Sequence, residues 1–187
     1  MASTRKAENA KGMTETCQRT VCLGIDPGSH ACGYAIVGAC SCGQMDLLAY
    51  GTIINHNKDV VKRIRAIEIG LKAMWNDTGL DKDAVLAYEC PYSGTGAGSA
   101  GKSGLQQVWM AIGMLLTLPA EKVQPMHVAT VQAAWGRKRG VDRKTGKLQA
   151  MRAAETFFGI KLEDSDSDAA DAMWVAIAAI RKLKEGK

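Results

Sequence analysis

The sequence predicts an α/β fold built on a mixed, five-stranded sheet flanked by helices. Three short runs rich in β-forming residues follow one another closely, which favours antiparallel hairpins. Two later apolar runs are separated by segments with helical periodicity, as parallel strands with helical crossovers require. A long apolar helix pattern then closes the chain.

The first three strands are expected at Val21–Asp26, Gly33–Ala39 and Leu47–Ile54. The first is a buried run that ends at the turn signal Pro27-Gly28. Residues 40–46 are short enough to join the second and third strands as a meander.

The middle of the chain alternates between helical and strand patterns. Lys58–Asp77 spaces its apolar residues as one face of a helix does, and Ala84–Glu89 is a second buried strand. The loop from Tyr92 to Gly104 consists mostly of Gly, Ser, Thr and Ala, and it precedes a strongly apolar helix at 105–118. The fifth strand is expected at Lys122–Val128.

Helical patterns occupy the C-terminal part. A short helix through Trp135 leads into a basic loop at 137–147. Helices are predicted at Lys147–Phe158 and Asp168–Lys184. Residues 1–19 lack periodicity and are interpreted as a flexible tail, which leaves 20–187 as one domain.

Composition excludes several classes of protein. Apolar residues make up 47% and charged residues 23% of the 187, as in a globular domain. No run approaches the ~20 apolar residues of a membrane span, and the polar N-terminus does not resemble a signal peptide. We therefore expect no membrane partner, reduced cysteines, and a location in the cytoplasm, the nucleoid or an organelle rather than secretion.

Charge is distributed unevenly along the chain, although the formal net charge is only +5. Residues 137–152 hold seven basic residues and one acid, whereas residues 163–171 hold five acids and no base. A basic segment beside an acidic cluster suits a metal-dependent nuclease, and two solvated loops are the simpler alternative.

Four acids stand at the ends of predicted elements. Asp26 and Glu89 end two buried strands, and Asp168 and Asp171 share one face at the start of the last helix. Ordinary strand-end and helix-start acids explain each one alone. Together, however, they can converge on two divalent cations ~4 Å apart, and Mg²⁺ prefers such oxygen ligands.

The segments around these acids resemble the RuvC family of Holliday junction resolvases from about residue 21 to 183. The segments that carry the resemblance are Gly24-Ile25-Asp26-Pro27-Gly28-Ser29, Gly33-Tyr34, Tyr88-Glu89 and Asp168-Ala169-Ala170-Asp171-Ala172. The resemblance implies an RNase H-like fold and a homodimer that cuts opposed strands of a four-way DNA junction with two Mg²⁺ ions, or Mn²⁺. It makes Asp26, Glu89, Asp168 and Asp171 the metal-binding catalytic acids. The Gly-rich loop and the charged basic loop suggest a divergent member, of phage or organellar type.

The same resemblance implies DNA contacts. Tyr92 is expected to stack on a base near the crossover. Lys147 is expected to contact a phosphate, and Lys144 is the alternative residue for that role. The apolar helix 105–118 is a candidate dimer interface. Further phosphate contacts are expected from two groups, one in the Gly-rich loop and one in the basic loop: Ser99, Lys102, Ser103, and Arg137, Lys138, Arg139, Arg143.

A competing motif overlaps the Gly-rich loop. Gly96 to Ser103 fits the P-loop pattern, but six residues separate it from the preceding strand and no later strand ends in an aspartate. Nucleotide binding is therefore the weaker alternative, and no small-molecule substrate is expected. An RNase H-like nuclease for other branched DNA or RNA–DNA hybrids, and a non-catalytic DNA-binding module, also stay open.

Overall fold

The computed structural model describes residues 2–6, 19–28, 30–80, 84–90, 120–137 and 140–186. In this part of the chain, six strands form one sheet and four α-helices pack on it. Short 3₁₀ turns at Ala120–Lys122 and Asp164–Asp166 precede a strand and the last helix. The strands are β1 (Ala2–Lys6), β2 (Arg19–Asp26), β3 (Ala31–Cys40), β4 (Met45–Ile54), β5 (Val85–Cys90) and β6 (Val123–His127), and the helices are α1 (Val60–Asp77), α2 (Val128–Ala134), α3 (Arg143–Phe158) and α4 (Ser167–Glu185).

The sheet confirms the predicted mixed arrangement. Its strand order is β1-β4-β3-β2-β5-β6, with β2, β3 and β4 antiparallel and β5 and β6 parallel to β2. The sixth strand, β1, pairs antiparallel with β4 from Ala2↔Ile53 to Lys6↔Ala49. Residues 2–6, which the sequence predicts as part of a flexible tail, form a strand here, and their backbone completes the open edge of β4.

Two apolar layers cover the sheet, one on each face. Alternate residues of β2 point to opposite faces, because Leu23 packs in a cluster with Ile67 and Leu71 of α1, whereas Cys22 belongs to the cluster around α4. Most residues of α4 between Ala169 and Ile180 are fully buried, so α4 is the central helix of the fold.

Two helix starts show how local capping sets the boundaries. Asp59 caps α1 by accepting from the backbone amides of Val61 and Lys62. Asp142 caps α3 by accepting from the Thr145 amide at 3.0 Å, so this helix begins at Arg143. The predicted basic loop is thus too long at its C-terminal end, because residues 143–147 form the first turn of α3.

The cysteines differ in their environment. Cys22 and Cys32 are buried free thiols, and burial raises the pKa of Cys22 to about 12. Cys40 is disulfide-bonded, so the prediction of reduced thiols is wrong for this residue. Spacing in the sequence could not indicate the bond, because bridging depends on which cysteines the fold brings together. The free cysteines among the described residues are Cys22, Cys32, Cys42 and Cys90.

Within the described ranges, no helix combines the length and the apolarity needed to cross a lipid bilayer. The predicted Gly-rich loop and the apolar helix 105–118, with its expected dimer interface, lie outside the described residues.

Candidate active site

The four predicted acids reach the site from three different elements. Asp26 is the last residue of β2, and Glu89 is the penultimate residue of β5. Because β2 and β5 are parallel neighbours, their carboxyl ends lie at the same edge of the sheet. Asp168 lies in the first turn of α4, and Asp171 follows three residues later. The N-terminal end of α4 must therefore approach the ends of the strands.

Glycine makes that approach close enough. Gly33 pairs with Asp26 across β2 and β3, and a Cβ atom on Gly33 would lie 1.9 Å from the carbonyl oxygen of Asp168. Gly24 has the same relation to α4, since its Cβ would lie 2.2 Å from the carbonyl oxygen of Ala172. No real side chain tolerates such distances, so these two glycines bring the helix and its acids onto the strands.

Three of the acids converge closely. Carboxylate oxygens of Asp26, Asp168 and Asp171 all lie within 4.8 Å of one another. All three side chains are half-buried, so the cluster is partly enclosed while still open to solvent. Clustered carboxylate oxygens are hard ligands, which suit Mg²⁺ or Mn²⁺ rather than softer metals.

Burial and mutual repulsion both raise the pKa values of these acids. Burial, followed by the charges of Asp171, Glu89 and Asp168, raises the pKa of Asp26 well above its usual range. Burial and the charge of Asp171 raise the pKa of Glu89 to about 7. Glu89 therefore lies within electrostatic reach of Asp26 and Asp171. A bound cation would relieve the repulsion, so the residues present fit a divalent metal.

Lys147 supplies positive charge inside the cluster. Its Nζ donates to Oδ1 of Asp168 at 2.5 Å and lies 4.0 Å from Oδ2 of Asp171. Burial lowers the pKa of Lys147, but the hydrogen bond to Asp168 and the charges of Asp168, Asp171 and Asp26 together raise it. The pKa of Asp171 still rises to about 6, because its burial outweighs the opposing charge of Lys147. Lys144, the rival candidate, is exposed on α3.

Two of the predicted DNA-contact arginines also act on the acids. The positive charge of Arg137 lowers the pKa of both Glu89 and Asp171, and that of Arg143 lowers the pKa of Asp171. The structure thus places Arg137, Arg143 and Lys147 around the acidic cluster. The remaining predicted DNA-contact residues lie outside the described ranges: Tyr92, Ser99, Lys102, Ser103, Lys138 and Arg139.

Comparisons with known proteins show the family of this chain and agree with its fold. The family model described as crossover junction endodeoxyribonuclease RuvC matches residues 22–86. A RuvC from Synechocystis is 30% identical over 178 residues, which cover 91% of this chain and 96% of that protein. The chain belongs to the RuvC family. A second RuvC, from Anaeromyxobacter dehalogenans, is 28% identical over 163 residues, covering 87% of this chain and 81% of that protein.

Solved RuvC structures share the fold at lower identity. Thermus thermophilus RuvC in complex with a Holliday junction substrate matches with a TM-score of 0.67 and 15% identity, covering 89% of this chain and 97% of that one. The yeast mitochondrial Holliday junction resolvase matches with a TM-score of 0.58 and 14% identity, covering 89% and 81%. The predicted RNase H-like fold is confirmed by these matches.

Proposed function

We propose that this RuvC-family chain is a structure-selective endodeoxyribonuclease that resolves four-way DNA junctions. The observation that supports this most directly is the convergence of Asp26, Asp168 and Asp171 at the edge of an RNase H-like sheet. The relatives carry the name crossover junction endodeoxyribonuclease, and the Thermus thermophilus relative was solved with a Holliday junction. Four-way DNA is accordingly the substrate we assign.

The four acids are the proposed ligands of two Mg²⁺ ions, for which Mn²⁺ can substitute. Bound divalent ions of this kind activate a water for in-line attack on a phosphodiester and stabilise the leaving oxygen. The products are then a 5′-phosphate and a 3′-hydroxyl at each nick. Asp26 and Glu89 present their carboxylates from the strand ends, and Asp168 and Asp171 present theirs from α4.

The basic residues beside the acids favour the approach of a DNA phosphate. Lys147 reaches the acids directly, while Arg137 and Arg143 act on them through their charges. Any phosphodiester that approaches the acids therefore meets the positive charges of the half-buried Lys147 and the exposed Arg143, which offset the repulsion between the acids and the phosphate. Affinity of this kind depends on phosphates and not on base sequence, so junction selectivity must arise from a homodimer that holds two such sites at a fixed separation.

Cleavage of a synthetic four-way junction with Mg²⁺ tests the proposal. Matched linear duplex, fork and RNA–DNA hybrid substrates serve as controls. We expect paired, symmetric nicks in the junction alone, each with a 5′-phosphate that a ligase can seal.

Each other outcome overturns a specific part of the proposal. Cutting of the hybrid or of every substrate would retain the metal site and refute junction selectivity. Tight junction binding without any cutting would indicate a binding module. Hydrolysis of ATP in place of DNA would support the P-loop alternative.

A further inference from the structure

Arg137 is held differently from Arg143 and Lys144, the exposed cations of the predicted basic loop. Its guanidinium Nη2 donates to the carbonyl oxygen of Val141 at 3.2 Å. Its backbone amide donates to the carbonyl oxygen of Gln132 at 3.0 Å, at the end of α2. The side chain is half-buried, so it spans the connection between α2 and α3 instead of projecting into solvent.

The guanidinium rests on a glycine in the first turn of α3. A Cβ atom on Gly146 would lie 3.3 Å from Nη2, 3.4 Å from Cζ and 3.5 Å from Nε of Arg137. Three atoms of the planar group are therefore nearly equidistant from that position, as they are when the plane lies over it. Glycine is unfavourable within a helix, so the contact gives a physical reason for its presence here.

The contact adjoins the acidic cluster. Lys147, the residue that bonds to Asp168, directly follows Gly146 in the chain. The positive charge of Arg137 also reaches Glu89 and Asp171. One side chain thus contacts the α2–α3 connection and the first turn of α3, and it acts on the acids through its charge.

We propose that Arg137 is a positioning residue, which fixes the first turn of α3 so that Lys147 stays in register with Asp168. It does not act as one more phosphate contact of the basic loop. Its effect on cleavage rests on the proposed nuclease function, whereas its contact with Gly146 does not.

The first experiment separates positioning from DNA affinity. Single-turnover cleavage at saturating junction and the salt dependence of junction binding are measured for R137Q, R137K and, as a matched comparison, K144Q. We expect R137Q to lower the saturated rate by ~10–100-fold, as substitutions in the layer behind a metal site do. For R137Q, the slope of log binding constant against log salt concentration should equal that of the wild type. K144Q removes an exposed cation that the sequence assigns to phosphate binding, and it should reduce the slope by ~0.9.

R137K keeps the charge but loses the planar fork, so we expect its rate to stay close to that of R137Q. A wild-type rate in R137K would overturn the proposal, because charge alone would then suffice. A wild-type saturated rate in R137Q, with the slope reduced as in K144Q, would overturn it as well.

The second experiment needs no nuclease activity. Hydrogen exchange of amides 143–149 is compared between wild type and R137Q, and melting temperatures are compared for G146A in the wild-type and R137A backgrounds. We expect R137Q to lose protection locally. G146A should raise the melting temperature by ~2–4 °C only in R137A, where the new methyl group meets no guanidinium.

Equal shifts in both backgrounds, or unchanged protection in R137Q, would overturn the proposal whether or not the chain cuts DNA. Failure of the wild type to cut junctions, with the coupling present, would instead refute the proposed function and leave the Arg137 contact standing.

Discussion

Asp26 is the acid on which the charges of the site converge. Its burial, followed by the charges of Asp171, Glu89 and Asp168, raises its pKa. A carboxylate so placed is poorly tolerated unless a cation is shared with its neighbours. Neutralising Asp26 should therefore weaken metal binding more than neutralising any other acid of the site. It should leave the packing around the site nearly unchanged.

Asp26→Asn is expected to abolish cleavage and preserve junction binding. The amide has the shape of the carboxylate but lacks its charge, so the cluster loses a proposed metal ligand without losing its packing. Single-turnover cleavage and an electrophoretic shift assay measure the two properties. Asp46→Asn is the matched control, because Asp46 pairs with Arg19 at 3.5 Å on β4 and lies outside the cluster. Cutting by the Asp26 variant at the wild-type rate would refute the catalytic assignment.

Lys147→Met should destabilise the metal-free protein at pH 7. The substitution retains most of the apolar stem but leaves Asp168 and Asp171 without the ammonium that lies 2.5 Å and 4.0 Å from them. Because the pair is partly exposed, we expect a loss of about 1–2 kcal/mol in the free energy of unfolding, below the range for fully buried pairs. Urea denaturation measures it. Lys144→Met, on the exposed side of α3, should change the same quantity by less than ~0.5 kcal/mol, and equal losses in the two variants would contradict the ion pair.

Residue types and positions were sufficient to predict which acids approach one another. Asp26 and Glu89 follow buried strands, and the fold then sets those strands side by side. The role of Arg137 was not predictable in the same way. Its contacts with Val141 and Gly146 depend on how the α2–α3 connection folds back, and neither partner carries a sequence signal for it.

At the scale of elements, the site depends on how tightly α4 is seated against β2 and β3. Gly24 and Gly33 leave no room for a side chain between strand and helix. The burial of nearly every residue of α4 from Ala169 to Ile180 holds the helix there. Packing of this central helix therefore determines where Asp168 and Asp171 lie relative to Asp26.

Gly33→Ala should displace the first turn of α4. Its Cβ would lie 1.9 Å from the carbonyl oxygen of Asp168, which is backbone and cannot rotate away. We expect a loss of roughly 1–3 kcal/mol in the free energy of unfolding, as overpacked cores show, together with a fall in cleavage rate. Gly38→Ala on the same strand is the matched control, since the three atoms nearest to its Cβ would belong to the Leu48 side chain, at 3.4–3.8 Å. Chemical denaturation measures the free energy of unfolding of both variants, and a cleavage assay measures their rates. Equal values for the two variants would contradict the close approach of α4 to Gly33.

Most elements were predictable from periodicity, and the exceptions have physical causes. Strand β1 has no apolar alternation, because its pairing with β4 comes from backbone groups that any sequence supplies. The start of α3 was misplaced because basic residues and Gly146 resemble a loop, although Asp142 ahead of Thr145 is a helix-capping signal. The long, strongly periodic helices α1 and α4 were predicted within two residues at each end.

At the scale of the whole molecule, we expect the acidic cluster to make folding sensitive to both pH and divalent ions. In the folded state, the pKa of Glu89 is raised from 4.5 to about 7. The pKa of Asp171 is raised from 3.8 to about 6. A raised pKa means that the folded state binds protons more tightly than the unfolded state does. The stability that these protons supply is complete below pH ~4 and is lost as the pH rises through 6 and 7.

The metal-free protein should therefore melt at progressively lower temperature between pH 5 and pH 8. Linkage of this size contributes on the order of 1–3 kcal/mol for each shifted acid. Mg²⁺ should reverse much of the loss at pH 8 and have little effect at pH 5, because the ion binds the deprotonated acids and competes with their protons. Thermal unfolding across this pH range, with Mg²⁺ or with KCl at matched ionic strength, measures the effect.

Asp26→Asn should flatten the profile of melting temperature against pH, since one source of repulsion is gone. Stabilisation by Mg²⁺ that is equal at pH 5 and pH 8, or equal in Asp26→Asn and the wild type, would mean that the ion binds elsewhere than among these carboxylates.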